Sequence, residues 1–311
     1  MQVIEIPARF KDTTVSLYGE KGVEWLDALP NLLSAIASQY GLSLLDPFPN
    51  LTYHFVVPVT MSDGTDAVLK VGVPNPEMRS EIEALRHFAG VGAVTLLTSE
   101  PDLGLLIIER LHPGTSLTQM AIGDEQQDAE ATAIACDVMR GLWREASDSA
   151  LFRHTGELAS GFERLRSQFA GGTGPFPEPL VAAAEGYWAE LEASSSRQVL
   201  LHGDLHHDNI LAAQARIGAW LAIDPKGYVG DPAFDTGALL RNLWRDRCHI
   251  LDPAARLRRR IDQMSDELDL ERSRIHRWGV AQAVLSVWWS YEDGDTDWAG
   301  SLDIAELIAA C

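Results

Sequence analysis

The apolar positions divide the chain into two stretches of different period. Residues 51–72, LTYHFVVPVTMSDGTDAVLKVG, are apolar around Phe55–Val57 and again over Ala67–Val71, with the turn-forming Ser62-Asp63-Gly64 between them, which predicts a β-hairpin. Over residues 78–89 the spacing becomes helical, with Met78, Ile82, Leu85 and Phe88 or Ala89 on one face after a start signal at Asn75-Pro76. Val94–Leu97 and Gly104–Ile108 read as two further strands. Ahead of the hairpin, Leu26, Leu29, Leu33, Ile36 and Tyr40 share a helical face that Gly41 ends, with Pro30 expected in the first turn. After His112-Pro113-Gly114 the pattern is mainly helical, near residues 125–145, 150–169, 179–193 and 267–291, so a boundary is expected near residue 112. Gly171–Pro179 reads as a loop between helices.

Composition narrows the setting. With 311 residues, 46% of them hydrophobic, the chain can bury a full core and has the length of about two domains. Its three cysteines, Cys136, Cys248 and Cys311, are scattered and suggest neither a disulfide framework nor a cysteine zinc site, so a cytoplasmic location is expected. The opening MQVIEIPARFKD alternates apolar and polar residues and does not read as a signal peptide, and no segment has the length and apolarity of a membrane span. Lys and Arg total 25 against 45 for Asp and Glu, a formal charge of -20, which repels nucleic acid and anionic membranes and favours a cationic small molecule.

The chemistry concentrates in residues 200–226, LLHGDLHHDNILAAQARIGAWLAIDPK. Asp204 and Asn209 lie five apart, and the apolar strand Trp220–Ile223 delivers Asp224 at its end. In phosphoryl transfer an aspartate orients the attacking hydroxyl and takes its proton, while an asparagine downstream on the same loop and a second aspartate hold Mg²⁺. That cation favours few protein carboxylates completed by phosphate and water.

HGDLHHDN followed by IDPKGYVGDPAFD resembles the aminoglycoside phosphotransferase branch of the protein-kinase-like fold, specifically its streptomycin 6-kinase and hydroxyurea-resistance kinase group. The protein-kinase pattern HRDxxxxN becomes His202-Gly203-Asp204 with Asn209, and Pro225-Lys226 replaces the Phe-Gly that follows the metal aspartate. The similarity runs over residues 50–245. It implies a bilobal α+β fold, with a small antiparallel-sheet N-terminal lobe over residues 1–111 and a mainly helical C-terminal lobe over 112–311. It further implies Asp204 as the catalytic residue, Asn209 and Asp224 as Mg²⁺ ligands, Lys70 on the phosphates of ATP or GTP, and Glu81 or Glu83 as the partner of Lys70. In LIIERL, Glu109 and Leu111 are the residues whose backbone is expected to meet the purine. The GxGxxG loop of protein kinases is absent, leaving Asn50–Tyr53 and Ser62–Gly64 as candidates to cover the phosphates.

The expected acceptor is a cationic, polyhydroxylated aminoglycoside such as streptomycin, with Asp231, Glu292 and Asp293 as carboxylates for its guanidinium groups. A hydroxyurea or metabolite kinase and a nucleotide-holding pseudokinase are the alternatives. A zinc site built from His202, His206 and His207 with Asp204 or Asp208 is a competing reading, but it lacks a matching distal ligand pair. His202 and His206 are expected to brace the loop, His207 and Asp208 to be solvated, and Asp235 to cap a helix and steady the catalytic loop. Trp288 and Trp289 are expected in the core and at its rim.

Overall fold

The computed structural model describes residues 6–49, 51–146, 151–214, 220–242, 250 and 252–311. Asn50 and Cys248, both part of the sequence reading, and residues 1–5 of the N-terminal stretch fall outside them. The chain divides into two compact units, Met1–Gly90 with Val94–Leu111, and Val91–Ala93 with His112–Cys311.

The first unit begins with helices α1 (Ala8–Tyr18) and α2 (Glu20–Tyr40). Strands β1 (Ser43–Leu44), β2 (Phe55–Thr60) and β3 (Asp66–Val71), helix α3 (Pro76–Phe88), and strands β4 (Leu96–Glu100) and β5 (Leu105–Glu109) follow. The strands form one antiparallel sheet in the order β1-β2-β3-β5-β4. The expected hairpin is present, its turn closed by Met61 N–H on Thr65 O at 2.8 Å and by Asp63 Oδ1, which accepts Thr65 N–H at 2.9 Å. Asn75 caps α3 by accepting Met78 N–H at 2.9 Å, with Pro76 in the first helical position.

Pro30 departs from expectation. It lies inside α2, which starts ten residues earlier at Glu20. Leu29, Leu33 and Ile36 from that helix join Phe10 of α1 against Phe55, Val57 and Val59 of β2 and Leu69 and Val71 of β3 in one core, so tertiary burial overrides the local proline signal.

The second unit opens with β6 (Pro113–Ser116), α4 (Thr118–Ala121), α5 (Glu125–Leu142) and β7 (Arg153–His154). Helices α6 (Ser160–Gln168) and α7 (Glu178–Ala193) and strands β8 (Val199–Leu201), β9 (Ile210–Ala213), β10 (Trp220–Ala222) and β11 (Tyr228–Gly230) come next. Helices α8 (Thr236–Arg241), α9 (Pro253–Leu268), α10 (Arg272–Glu292) and α11 (Trp298–Ala309) complete it. The strands form two three-stranded sheets, β10-β9-β6 and β7-β11-β8.

The stretch expected as one amphipathic helix near 267–291 is the end of α9 followed by α10, and α10 is buried over nearly every position from Trp278 to Leu285. Its lack of a polar face follows from its place in the core: Trp278 meets Trp188 and Phe234 edge-on, each at 5.1 Å between ring centroids. Trp288 is buried and Trp289 half-buried, as core and rim.

Candidate functional site

In the first unit, Lys70 on β3 is buried, and its Nζ lies 2.7 and 2.8 Å from the two oxygens of Glu81 on α3. The open choice is thereby decided: Glu83 faces outward and pairs with Arg86 instead. Strand register carries Lys70 opposite Leu106 of β5. Glu109 ends β5, where its carboxylate accepts Thr95 N–H at 2.7 Å and Thr95 Oγ1–H at 2.9 Å, and Leu111 is the last residue of this unit.

In the second unit, the β9–β10 hairpin brings the separated acidic motifs together. Ala222 pairs with Ile210, and Ile223 N–H donates to Asn209 O at 2.9 Å, so Asn209 and Asp224 emerge at the same end. The amide Nδ2 of Asn209 donates to Asp204 O at 3.0 Å, which leaves its Oδ1 as the acceptor atom of the side chain. The Asp224 backbone has φ of 58°, a conformation uncommon for a residue with a side chain and disfavoured further by Pro225. Strain of this kind gathers where a side chain is aimed for use. Two oxygen donors at one hairpin end suit a hard divalent cation.

The loop itself is stitched from beneath. His202 Nδ1 accepts Asp204 N–H at 3.2 Å, which leaves its Nε2–H to donate to Ile223 O at 2.8 Å; burial holds the ring neutral, its pKa pushed down to about 4. Lys226 N–H donates to His202 O at 2.7 Å and ties the Asp224 segment to the loop. Gly203 adopts φ of 84°, and a Cβ there would fall 2.6 Å from the Tyr228 ring, so the arginine of HRD has no room in this chain.

Asp235 is fully buried and accepts Gly203 N–H at 2.8 Å, His202 N–H at 3.1 Å and Trp143 Nε1–H at 3.1 Å. It steadies the loop as expected, but by gripping loop amides and not by capping α8, whose start has no side-chain cap. Burial outweighs these donors and pushes its carboxyl up to about 6.

Asp204 Oδ1 accepts Arg241 Nη2–H at 2.6 Å, while Oδ2 lies 3.9 Å from His206 Nε2, beyond hydrogen-bond range. Burial pushes the Asp204 carboxyl up, but Arg241, His206 and Lys226 together outweigh it and hold it below its ordinary range. Sequence reasoning missed Arg241, which lies 37 residues away outside any motif.

Other expectations change. His207 is buried, not solvated, because its short turn packs inward; burial, then Arg260, holds its ring well below the ordinary range. Asp208 is exposed, as expected, and accepts the Ser116 and Thr118 hydroxyls at 3.0 and 2.6 Å. With both His202 nitrogens engaged and His206 Nδ1 accepting Asp208 N–H at 3.2 Å, these histidines brace the loop and are not free to form the alternative zinc site.

Asp231, expected to meet the acceptor, is buried and fully engaged inside the protein. Its Oδ2 accepts Trp278 Nε1–H at 2.8 Å and the Arg274 guanidinium, and its Oδ1 accepts Ala233 N–H at 3.1 Å. Glu292 is held by both arms of the Arg164 fork at 2.7 and 2.9 Å, so it too is spoken for. Of the three carboxylates, only that of Asp293 is exposed without a hydrogen-bond partner among the described residues; partial burial, then Glu292, raises its pKa.

Residues 51–294 match the family described as aminoglycoside/hydroxyurea antibiotic resistance kinase. The chain is 30% identical to a streptomycin 6-kinase of Streptomyces glaucescens, over 99% of this chain and 97% of that protein. It is 31% identical to a hydroxyurea phosphotransferase of Kitasatospora aureofaciens, over 94% of this chain and 82% of that protein. Among solved structures, a choline kinase from Streptococcus pneumoniae superposes with a TM-score of 0.62 at 13% identity, covering 90% of this chain and 100% of the other, a likeness of fold.

Proposed function

From the membership of this chain in the aminoglycoside/hydroxyurea antibiotic resistance kinase family, we propose that it moves the γ-phosphoryl group of ATP or GTP onto a hydroxyl of streptomycin or a close aminoglycoside, with Mg²⁺ as the metal. The observation that carries this reading is the convergence of Asp204, Asn209 and Asp224 at one end of the β9–β10 hairpin.

Asn209 Oδ1 and the Asp224 carboxylate fit Mg²⁺, which when bound neutralises phosphate charge in this chemistry. Asp204 Oδ2 positions the acceptor hydroxyl: its oxygen bonds to the γ-phosphorus, its proton passes to Oδ2, and the bond to the departing nucleoside diphosphate breaks. Lys70, fixed by Glu81, serves the nucleotide phosphates, and the backbone at Glu109 and Leu111 serves the purine. Placement contributes more than base strength, because Asp204 is a weak base among cations.

A cationic acceptor is supported by the formal charge of -20, with Asp293 as the one of the expected three carboxylates that has no hydrogen-bond partner among the described residues. A nucleotide-consumption assay over aminoglycosides, hydroxyurea and neutral metabolites, with Mg²⁺ and then with chelator, tests the reading. Turnover with streptomycin that falls with salt and stops on chelation is expected. Turnover with hydroxyurea alone would instead support the second reading, favoured by the 31% identical hydroxyurea phosphotransferase.

Two variants probe the parts separately. Asp224→Asn is expected to weaken Mg²⁺-nucleotide binding together with turnover; calorimetry showing unchanged binding removes it from the metal site. Glu81→Gln is expected to raise the KM for nucleotide and lower kcat, whereas Glu83→Gln leaves both within about twofold, since its partner Arg86 is exposed. Equal effects of the two variants would detach the Lys70–Glu81 pair from nucleotide binding.

A further inference from the structure

Helix α8 has six residues, and both of its ends hold the loop that carries Asp204. At the leading end, Asp235 grips the loop amides of His202 and Gly203. At the trailing end, Arg241 donates Nη2–H to Asp204 Oδ1 at 2.6 Å. Between them Thr236–Leu240 are buried throughout, and a Cβ on Gly237 would fall 2.6 Å from the Gln282 side chain of α10. Gln282 in turn donates to Phe234 O at 2.6 Å, so α8 cannot slide on α10 without breaking buried contacts.

Among the described residues Arg241 has little else to hold. Its Nη1 reaches Ser286 Oγ only at 3.5 Å, and its Nε is buried without a partner among the described residues. Asp204 Oδ2, in contrast, accepts no hydrogen bond from the described residues, and His206 Nε2 stands 3.9 Å from it. One oxygen of the carboxylate is therefore clamped and the other left open.

We propose that Arg241 is the positioning residue for Asp204: by fixing Oδ1 from the end of a rigid, buried helix it sets the rotation of the carboxylate, so that Oδ2 alone faces the acceptor hydroxyl. The proposal rests on the reading of Asp204 as the group that takes the acceptor proton. Arg241 touches neither acceptor nor nucleotide in this role. Its effect travels entirely through Asp204, and that sets it apart from an arginine that contacts phosphate.

A double-mutant cycle reads this directly. With streptomycin as acceptor, Arg241→Gln is expected to lower kcat about 100-fold, the scale of a misplaced catalytic group, with KM for nucleotide within about twofold. Arg241→Lys should recover part of the loss, because an ammonium offers a point contact where the guanidinium offers a fork. In an Asp204→Asn background, Arg241→Gln should cost no more than about twofold further. Losses that multiply in the double variant, or an unchanged kcat in Arg241→Gln, overturn the proposal. Near-normal kcat in Asp204→Asn alone overturns the reading of Asp204 itself, so the two failures are distinguishable. Should Arg241→Gln not fold, the same cycle run with Arg241→Lys decides the matter: a kcat loss present with Asp204 intact and absent in the Asp204→Asn background supports it, and equal losses in both backgrounds overturn it.

Discussion

Asp204→Asn is expected to lower kcat by about 10²–10⁴-fold, the usual contribution of a positioned proton acceptor, while nucleotide affinity stays within about twofold. The amide keeps the shape of the side chain but loses the charge that binds Arg241 and the capacity of Oδ2 to take a proton. Nothing in the nucleotide arm of the reading depends on this carboxylate: Lys70 is anchored by Glu81, and Asn209 meets Asp204 only at its backbone oxygen. A loss confined to kcat therefore separates this residue from Asp224, whose replacement is expected to disturb metal and nucleotide binding as well. Steady-state turnover beside calorimetric nucleotide binding provides the check. Near-normal kcat would remove Asp204 from the reaction, and equal losses in kcat and nucleotide affinity would make it part of the metal site instead.

The catalytic core was legible because its pieces are local. Asp204 and Asn209 share one short loop, the β9–β10 hairpin needs only a few residues to return Asp224 beside them, and Asn75-Pro76 marks the start of α3 with standard capping chemistry. What the sequence concealed depends on contacts distant along the chain. Arg241 becomes informative only once the fold brings it 37 positions back to Asp204. Asp231 looked available because its motif is acidic and surrounded by turn residues, yet Arg274 and Trp278, more than forty positions later, occupy it. His207 carries a polar ring in a polar motif, and its burial follows from packing that no local period announces. The helix over 267–291 was legible as one stretch but not its break between α9 and α10, while Pro30 suggests a helix start where a long helix already runs.

Asp235→Ala is expected to give the largest stability loss, together with a fall in kcat. Removing this carboxylate strands three buried donors, His202 N–H, Gly203 N–H and Trp143 Nε1–H, at about 1–3 kcal/mol each, so a loss of about 3 kcal/mol or more follows. The pH dependence of the variant is more diagnostic than its size. Asp235 has its pKa raised from 3.8 to about 6, so the folded protein holds that proton more tightly than the unfolded chain; its contribution is fully present below about pH 4 and is lost as pH rises through 6. His202 has the opposite sense, its pKa lowered from 6.5 to about 4, so its contribution is present above pH 6.5 and is lost as pH falls toward 4. Across nearly the same window the two slopes oppose each other and largely cancel in the wild-type protein. Without Asp235 only the histidine slope remains, reinforced by His206, which burial also pushes down. Denaturant unfolding of both proteins between pH 4 and 6.5 should show the gap between them widening on acidification by about 3 kcal/mol, the free energy of a shift of about two pKa units. Parallel stability curves would mean that the folded protein does not hold the Asp235 proton more tightly than the unfolded chain.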